Sequence, residues 1–243
     1  GMEVITQQPM KIRPRLLSKS IKVRSGDLLT VKRQTETQNA LNSLGIFRSV
    51  NMGVTSLDSL SGTDRANVNI SATFDYPIEA EFETNVTSKS NSFLGPGMQL
   101  TLSHNNLFRG GEVLSLRLNG NYEWETGKKN TDGGTARVNS YEFGLSASLD
   151  LKRLLLPRSM IRRNPYPART SFQIGADLMN RPKFFRMMSF NMSTEYDFQS
   201  SVNSYHTLSL LKLVYNNLLH TTAAFDQTMA ENPAIALSFK DQF

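Results

Sequence analysis

The sequence contains no cysteine, which excludes a disulfide framework, a thiolate nucleophile and a sulfur-ligated metal site. It also lacks long apolar runs, and the three leucines at residues 154–156 are typical of the longest. A membrane-spanning helix needs about 18 consecutive apolar residues, so the chain is not a helical membrane protein. The mean hydropathy of -0.35 does not exclude a membrane β-barrel, because apolar and polar residues alternate in barrel strands.

The sequence also has few segments in which charges of one sign are concentrated. The 27 lysines and arginines exceed the 21 carboxylates and give a net charge of +6, but most basic residues are spread along the chain. Nucleic-acid-binding domains concentrate them on one face or segment. We therefore expect no nucleic-acid partner. The local basic cluster consists of Lys152, Arg153, Arg158, Arg162 and Arg163.

Between residues 112 and 150, apolar and polar side chains alternate with a period of two in two successive segments. The apolar positions are Leu114, Leu116, Leu118, Gly120, Tyr122 and Trp124 in the first segment and Tyr141, Phe143, Leu145, Ala147 and Leu149 in the second. Successive side chains of a strand point to opposite faces, so each segment predicts a strand with one apolar and one polar face. Each is about 10–13 residues long, enough for a tilted strand to cross a bilayer.

The N-terminal part of the chain has a different pattern. Pro14 favours the first turn of a helix, which we predict over residues 14–21. Thr30 is a candidate N-cap for a second helix over residues 31–44, and Gly45 supplies its stop. A small α+β module is expected here.

Strands follow these helices. A hairpin is predicted from residues 47–55 and 66–74, joined by the turn-rich residues 57–64. After Pro77 the predicted strands are residues 78–87, 98–105, 112–125, 136–150, 170–178, 185–198 and 205–215, and residues 234–243 suggest the approach to another. Their short turns and polar loops indicate an up-and-down antiparallel meander. The predicted domains are residues 1–76 and 77–243.

Several segments are similar to known sequence patterns. Residues 21–50 resemble a POTRA domain, whose last helix commonly ends in a pattern like ALNSLGIFRSV at residues 40–50. Residues 94–97 (LGPG) and 103–112 (SHNNLFRGGE) resemble the first hairpins of barrels of the BamA/TamA superfamily, where a similar turn lies on the periplasmic side. Leu156-Pro157 and residues 165–170 (PYPART) are similar to bacterial members of the surface antigen type.

The resemblance implies a POTRA module followed by an antiparallel β-meander that forms the N-terminal half of a transmembrane β-barrel. It implies a place in the bacterial outer membrane, with the N-terminal domain in the periplasm. The implied function is protein assembly or translocation, in which the first barrel strand templates client strands at a lateral seam through main-chain hydrogen bonds. The implied partners are outer-membrane lipids, unfolded outer-membrane or secreted client proteins, and periplasmic or lipoprotein partners.

Four groups of residues are candidates for this function. The client-strand seam is Glu79, Ala80, Glu81, Phe82, Glu83, Thr84, Asn85 and Val86. The periplasmic turn is Asn106, Leu107, Phe108, Arg109, Gly110 and Gly111. The predicted lipid-facing residues are Leu114, Leu116, Leu118, Tyr122, Trp124, Phe143 and Leu145, and the basic cluster is predicted to contact lipid headgroups.

No covalent chemistry and no cofactor are predicted. The three histidines, His104, His206 and His220, show no metal-ligand spacing and no nucleophile motif beside them. The carboxylates mostly share the polar parity of their strands, which favours a hydrated lumen over an acid/base pair. They are Glu123, Glu142, Asp150, Asp177, Glu195 and Asp197.

Two other interpretations remain open at this point. A passive outer-membrane pore or a two-partner-type secretion pore would share the barrel but use its lumen instead of its seam. A soluble β-sandwich binding protein would turn the apolar parity toward a second sheet, although strands longer than about ten residues argue against it.

Overall fold

The computed structural model describes residues 3–6, 12–56, 65–88, 93–125, 139–155, 168–182, 184–201 and 203–232. Its elements in chain order are α1 (Pro14–Ser20), α2 (Val31–Asn42), β1 (Phe47–Ser56), β2 (Ala66–Phe74), β3 (Ile78–Ser88), β4 (Phe93–Asn105), β5 (Val113–Glu125), β6 (Asn139–Leu151), β7 (Ala168–Arg181), β8 (Phe185–Ser201), β9 (Ser204–Thr221) and α3 (Ala223–Glu231). The structure is therefore mostly antiparallel sheet with few helices, as the alternation predicts.

The two N-terminal helices begin where the sequence predicts. Pro14 occupies the first turn of α1, where its missing N–H has no intrahelical partner to lose. The Thr30 side chain accepts a hydrogen bond from the Arg33 N–H at 3.3 Å and so caps α2. After α2, Gly45 adopts a left-handed φ of +64°, a conformation that costs other residues more than glycine.

These helices pack on the β1–β2 hairpin around a small core. The buried core residues are Ile12, Leu41, Leu44, Ile46 and Val50. Thr37 of α2 is fully buried, and its hydroxyl donates to the Arg33 carbonyl and accepts from the Lys22 N–H. The Gln38 side chain donates to the Val50 carbonyl at 3.2 Å and ties α2 to β1. We refer to residues 12–74 as the N-terminal module.

The seven remaining strands form one sheet in which each strand pairs with its sequence neighbours in the order β3 to β9. All six pairings are antiparallel, which confirms the predicted meander. Within the described residues the sheet is open, with β3 and β9 at its edges. We call the end of the sheet that carries residues 106–111 proximal and the opposite end distal.

Several strands are longer than the alternation predicts. The strand predicted at 98–105 begins at Phe93, and the one predicted at 205–215 continues to Thr221. Residues there depart from strict alternation, but their backbones still pair with the neighbouring strands: Gly97 lies opposite Asn85, and Asn217 opposite Met188. Backbone hydrogen bonding thus extends these strands beyond the side-chain pattern.

The α3 helix was not predicted. Thr222 precedes it, and its N–H and hydroxyl both donate to the Phe184 carbonyl in the distal β7–β8 turn. Phe225 of α3 is buried against Phe185, with the ring centroids 5.5 Å apart. This helix is held by contacts to a strand far away in sequence, which local patterns do not reveal.

Some predictions lie outside the described residues. They concern the hairpin turn at 57–64, the approach to a further strand at 234–243, and the side chains of Arg158, Arg162 and Arg163.

The packing of the N-terminal module predicts the effect of truncating a core side chain on its stability. Leu41 is 1% exposed, so Leu41→Ala should remove about 2–5 kcal/mol from the stability of the module. We expect faster amide hydrogen exchange throughout α2 and unchanged exchange in β5 and β6. The control is Leu28→Ala, because Leu28 is 80% exposed, and equal exchange rates in the two variants would contradict the packing described here.

Candidate functional site

The register of the seven-stranded sheet aligns apolar residues across all of its strands. One row runs from edge to edge through Phe82, Leu100, Leu118, Leu145, Ala176, Phe190 and Tyr215. Large side chains on this face are exposed, including Phe143 at 52%, Ile174 at 56% and Leu213 at 51%. Soluble monomers rarely expose a continuous apolar surface of this kind, so the face requires a partner or a lipid phase.

The structure brings the predicted lipid-facing residues together on this apolar face. Leu118 lies opposite Leu145, and Tyr122 lies opposite Tyr141 in the β5–β6 ladder. Leu116, Leu118, Tyr122, Phe143 and Leu145 are exposed, whereas Leu114 and Trp124 are half-buried. The Tyr122 and Trp124 rings lie 6.1 Å apart toward the distal end. Contact with lipid itself stays a prediction.

The opposite face of the sheet is mostly polar from β3 to β8, whereas on β9 the exposed Val214 lies on it, opposite Asn191. A row there runs through Glu81, Thr101, Arg117, Ser146, Gly175 and Asn191. Near the proximal end this face forms a shallow hollow, and its lining includes five serine side chains together with charged ones. The serines are Ser115, Ser146, Ser148, Ser171 and Ser193.

Three carboxylates on the polar face accept hydrogen bonds from side chains of neighbouring strands and, within the described part of the chain, are not paired with a second carboxylate. Asp150 accepts two hydrogen bonds from the Arg169 guanidinium, at 2.8 and 3.1 Å. Asp177 accepts from the Asn191 side chain at 3.2 Å. Asp197 accepts from the Thr207 hydroxyl at 2.8 Å. These contacts favour the interpretation of the carboxylates as parts of a hydrated polar wall.

The histidines do not converge. His104 lies on β4, whereas His206 and His220 lie near opposite ends of β9. The His206 Nε2 is 2.8 Å from the Ser200 hydroxyl, and its ring stacks on Phe198. No group of three or more histidine, aspartate or glutamate side chains able to hold a metal ion occurs in the part of the chain that the structure describes.

The first edge strand, β3, contains the predicted client-strand seam. All 11 of its residues are exposed, and within the described residues it pairs only with β4. Ala80, Phe82, Thr84 and Val86 share the apolar face, because they lie opposite Leu102, Leu100, Met98 and Pro96. Glu79, Glu81, Glu83 and Asn85 share the polar face, as the parity predicts.

The glutamates of β3 have weak partners. They lie opposite Ser103, Thr101 and Gln99, none of which is charged. The contact of Glu83 with the Gln99 side chain, at 3.5 Å, is at the limit for a hydrogen bond. No ion pair involves these glutamates among the described residues. The edge strand therefore carries a row of like charges that β4 does not neutralise.

Residues 106–111 form a tight turn at the proximal end, between β4 and β5. Asn106 and Arg109 adopt left-handed φ values of +66° and +61°, and Gly111 one of +78°. The Asn106 side chain accepts from the Gly111 N–H at 3.0 Å, and the Glu112 carboxylate accepts from the Gly110 N–H at 2.8 Å. Glu112 is only 3% exposed. These bonds help to hold three left-handed residues within a six-residue turn.

Two of the predicted headgroup-contacting residues are described, and both are exposed. Lys152 and Arg153 directly follow β6 at the proximal end. The fully buried Thr170 fixes this segment, since its hydroxyl donates to the Arg153 carbonyl and accepts from the Leu155 N–H. Tyr196 also donates to the Leu155 carbonyl at 3.1 Å. Sequence reasoning missed Thr170 and Tyr196, because nothing local marks contacts 15 to 41 residues apart.

None of the described helices has the length and apolar content needed to span a membrane.

Comparisons with known proteins give matches among solved structures. No protein-family model matches the chain, and no curated protein matches it. CdiB from Acinetobacter baumannii matches with a TM-score of 0.38 and 9% identity, over 85% of this chain and 46% of that one. BamA from Haemophilus ducreyi lacking POTRA domains 1–3 matches with a TM-score of 0.37 and 12% identity, over 87% of this chain and 47% of that one. The chain thus spans less than half the length of either structure.

Substitutions on the two faces of β5 test which face contacts lipid and which contacts water. We expect Leu116→Arg to impair insertion into lipid vesicles, because arginine on a lipid-facing strand position costs about 2–4 kcal/mol near the bilayer midplane. Ser115→Arg is the matched control, since Ser115 is the preceding residue and faces the polar hollow. The measurement is the folded, vesicle-bound fraction of each variant. Equal insertion of both variants would contradict the assignment of the apolar face to lipid.

Proposed function

We propose that this chain comprises the barrel-proximal POTRA domain and the N-terminal part of a β-barrel in the bacterial outer membrane. The observation that carries the proposal is the exposed apolar face that continues across seven strands of 11 to 18 residues. Strands of this length reach across a bilayer when tilted, and lipid would cover the face. The polar face would then line a hydrated lumen.

The proposed domain division is residues 1–76 for the POTRA domain and 77–243 for the barrel part. Two observations support it: the POTRA-like pattern at residues 40–50, and the separate core in which α1 and α2 pack on the β1–β2 hairpin. The proposed orientation places this domain and the proximal end of the sheet in the periplasm. Lys152 and Arg153 would then lie at the inner leaflet, where each charge near an anionic surface contributes about 1 kcal/mol.

The proposed activity is the insertion or translocation of client proteins by strand addition at β3. An exposed strand edge offers unpaired main-chain donors and acceptors to another extended segment. Like charges at Glu79, Glu81 and Glu83 disfavour tight, permanent pairing with the strand that closes the barrel. The seam should therefore open. Its proposed partners are unfolded outer-membrane or secreted proteins, whose strands would pair with the open β3 edge. This mechanism requires no cofactor.

A cysteine lock tests the seam in the complete barrel that contains this chain. One cysteine replaces Ala80 and the other replaces the residue opposite it on the closing strand. Oxidation should abolish client insertion while leaving the barrel folded, and reduction should restore it, because only an open edge can template a client. Client insertion into vesicles, measured before and after reduction, gives the readout.

The matched control is the pair Leu100→Cys and Leu118→Cys, which joins two strands that are already neighbours on the same face. This lock should leave insertion unchanged. The chain has no native cysteine to compete with either pair. Normal client insertion by the seam-locked barrel would refute strand templating and favour a passive or two-partner-type pore that works through its lumen.

A second experiment separates the membrane proposal from a soluble β-sandwich. Without detergent, the chain should aggregate or self-associate, since its apolar face and both sheet edges lack partners within the described residues. Sedimentation velocity with and without detergent measures this directly. A folded, monodisperse monomer in plain buffer would support the sandwich and contradict the proposal.

A further inference from the structure

Among the described residues, the N-terminal module meets the large sheet at two separate places. The first is the covalent connection of residues 75–77 between β2 and β3, which reaches at most about 10 Å. Asp75 donates its N–H to the Ile46 carbonyl at 3.0 Å, and Asn105 donates its N–H to the Pro77 carbonyl at 2.7 Å. These bonds tie the connection to the module on one side and to β4 on the other. One tether of this kind limits separation but still permits rotation.

The second contact is made by the proximal turn at residues 106–111. The Arg13 N–H, just before α1, donates to the Arg109 carbonyl at 2.9 Å. Gly111 lies against the end of α2, where a Cβ on this glycine would be 3.3 Å from the Leu44 carbonyl oxygen. Leu44 itself belongs to the buried core of the module. The turn therefore contacts the module backbone at two points, Arg13 and Leu44, which are next to or part of the module core.

The internal bonds of the turn give this contact a fixed shape. The buried Glu112 carboxylate accepts from Gly110, and the Asn106 side chain accepts from Gly111. Both bonds restrain the backbone on either side of the Arg109 carbonyl and the Gly111 surface. A second contact point of fixed shape removes the rotation that the tether alone would leave.

We propose that the proximal turn is a rigid joint in which Gly111 and the Arg109 carbonyl set the angle between the N-terminal module and the β3–β5 strands. Gly111 is a positioning residue, because a Cβ there would lie 3.3 Å from the Leu44 carbonyl oxygen, so that a side chain would push the module back by a few tenths of an ångström. The functional consequence rests on the proposed function: a fixed angle would deliver a client bound by the module to the β3 edge.

The joint is tested by distance measurements between spin labels on the chain in detergent micelles. Cysteines at Glu36, exposed on α2, and Leu118 on β5 report the module–sheet distance. Cysteines at Leu118 and Tyr215, which lie in one cross-strand row, report a distance within the sheet, about 19 Å for four strand spacings. The absence of native cysteine makes both label pairs specific. The unmodified turn should give one narrow module–sheet distance by pulsed electron paramagnetic resonance.

Two variants act on different contacts of the joint. Gly111→Val places a side chain against the Leu44 carbonyl, and Arg13→Pro removes the N–H that bonds to Arg109 at a residue whose φ of -69° suits proline. Each should cause loss of the single narrow module–sheet distance without changing the distance within the sheet. The second label pair thereby shows that the sheet of each variant still folds, and slow amide hydrogen exchange in α2 shows that the module does.

The control for backbone strain is Gly26→Val. Gly26 has a similar left-handed φ of +88°, but a side chain there meets no atom within 4 Å. This variant should keep the narrow distance. The joint is overturned if Gly111→Val and Arg13→Pro both keep it, if Gly26→Val loses it equally, or if the unmodified turn gives a broad distribution.

Client insertion by the complete barrel, measured on the same variants, tests the consequence separately. Loss of the narrow distance together with slower insertion supports delivery at a fixed angle. Loss of the narrow distance with insertion unchanged overturns that consequence, while the joint and the seam both stand. Failure of the seam lock to affect insertion refutes the proposed function and leaves the distance result intact.

Discussion

The register between neighbouring strands determines which residues share a face of the seven-stranded sheet. In the β5–β6 pair, Leu118 lies opposite Leu145 and Arg117 lies opposite Ser146. Since side chains alternate with a period of two, a shift by one residue would move Arg117 to the apolar face and Leu118 to the polar one. The separation of an exposed apolar surface from a polar hollow depends on this register in every pair.

In the last strand pair, β8–β9, the register shifts locally at bulges. Register shifts occur in β8–β9 between Arg186 and Met187 and between Thr194 and Glu195. At these two shifts β9 carries an additional residue, Leu219 in one case and Leu210 in the other, and both are exposed. At a third shift, between Gln199 and Ser201, the additional residue belongs to β8. Such bulges bend a strand and increase its twist. They therefore curve the sheet at this side while the residues beyond each bulge return to their faces.

How far the sequence predicts this structure depends on where the stabilising contacts lie. The strands β5 and β6 and the cap of α2 by Thr30 follow from neighbours within a few residues, so the pattern revealed them. Thr170 and the helix α3 depend on contacts across the sheet, and the sequence gives no local signal for either. The candidate site follows the same rule: parity predicts both faces of β3, whereas the contact of Gly111 with Leu44 appears only in three dimensions.

The distribution of charge over the polar face distinguishes the edge strand β3 from the interior strands. Asp150, Asp177 and Asp197 each accept hydrogen bonds from a neighbouring strand, which adds side-chain pairing to the backbone ladder. The glutamates of β3 receive almost none of this stabilisation from β4, and every residue of β3 is exposed. Charged edge strands resist indiscriminate pairing with other chains. Backbone pairing holds β3 to β4 along its whole length, so the charged row bears on the free edge. Such an edge fits the proposed seam, because permanent association with a closing strand would require the like charges to be neutralised.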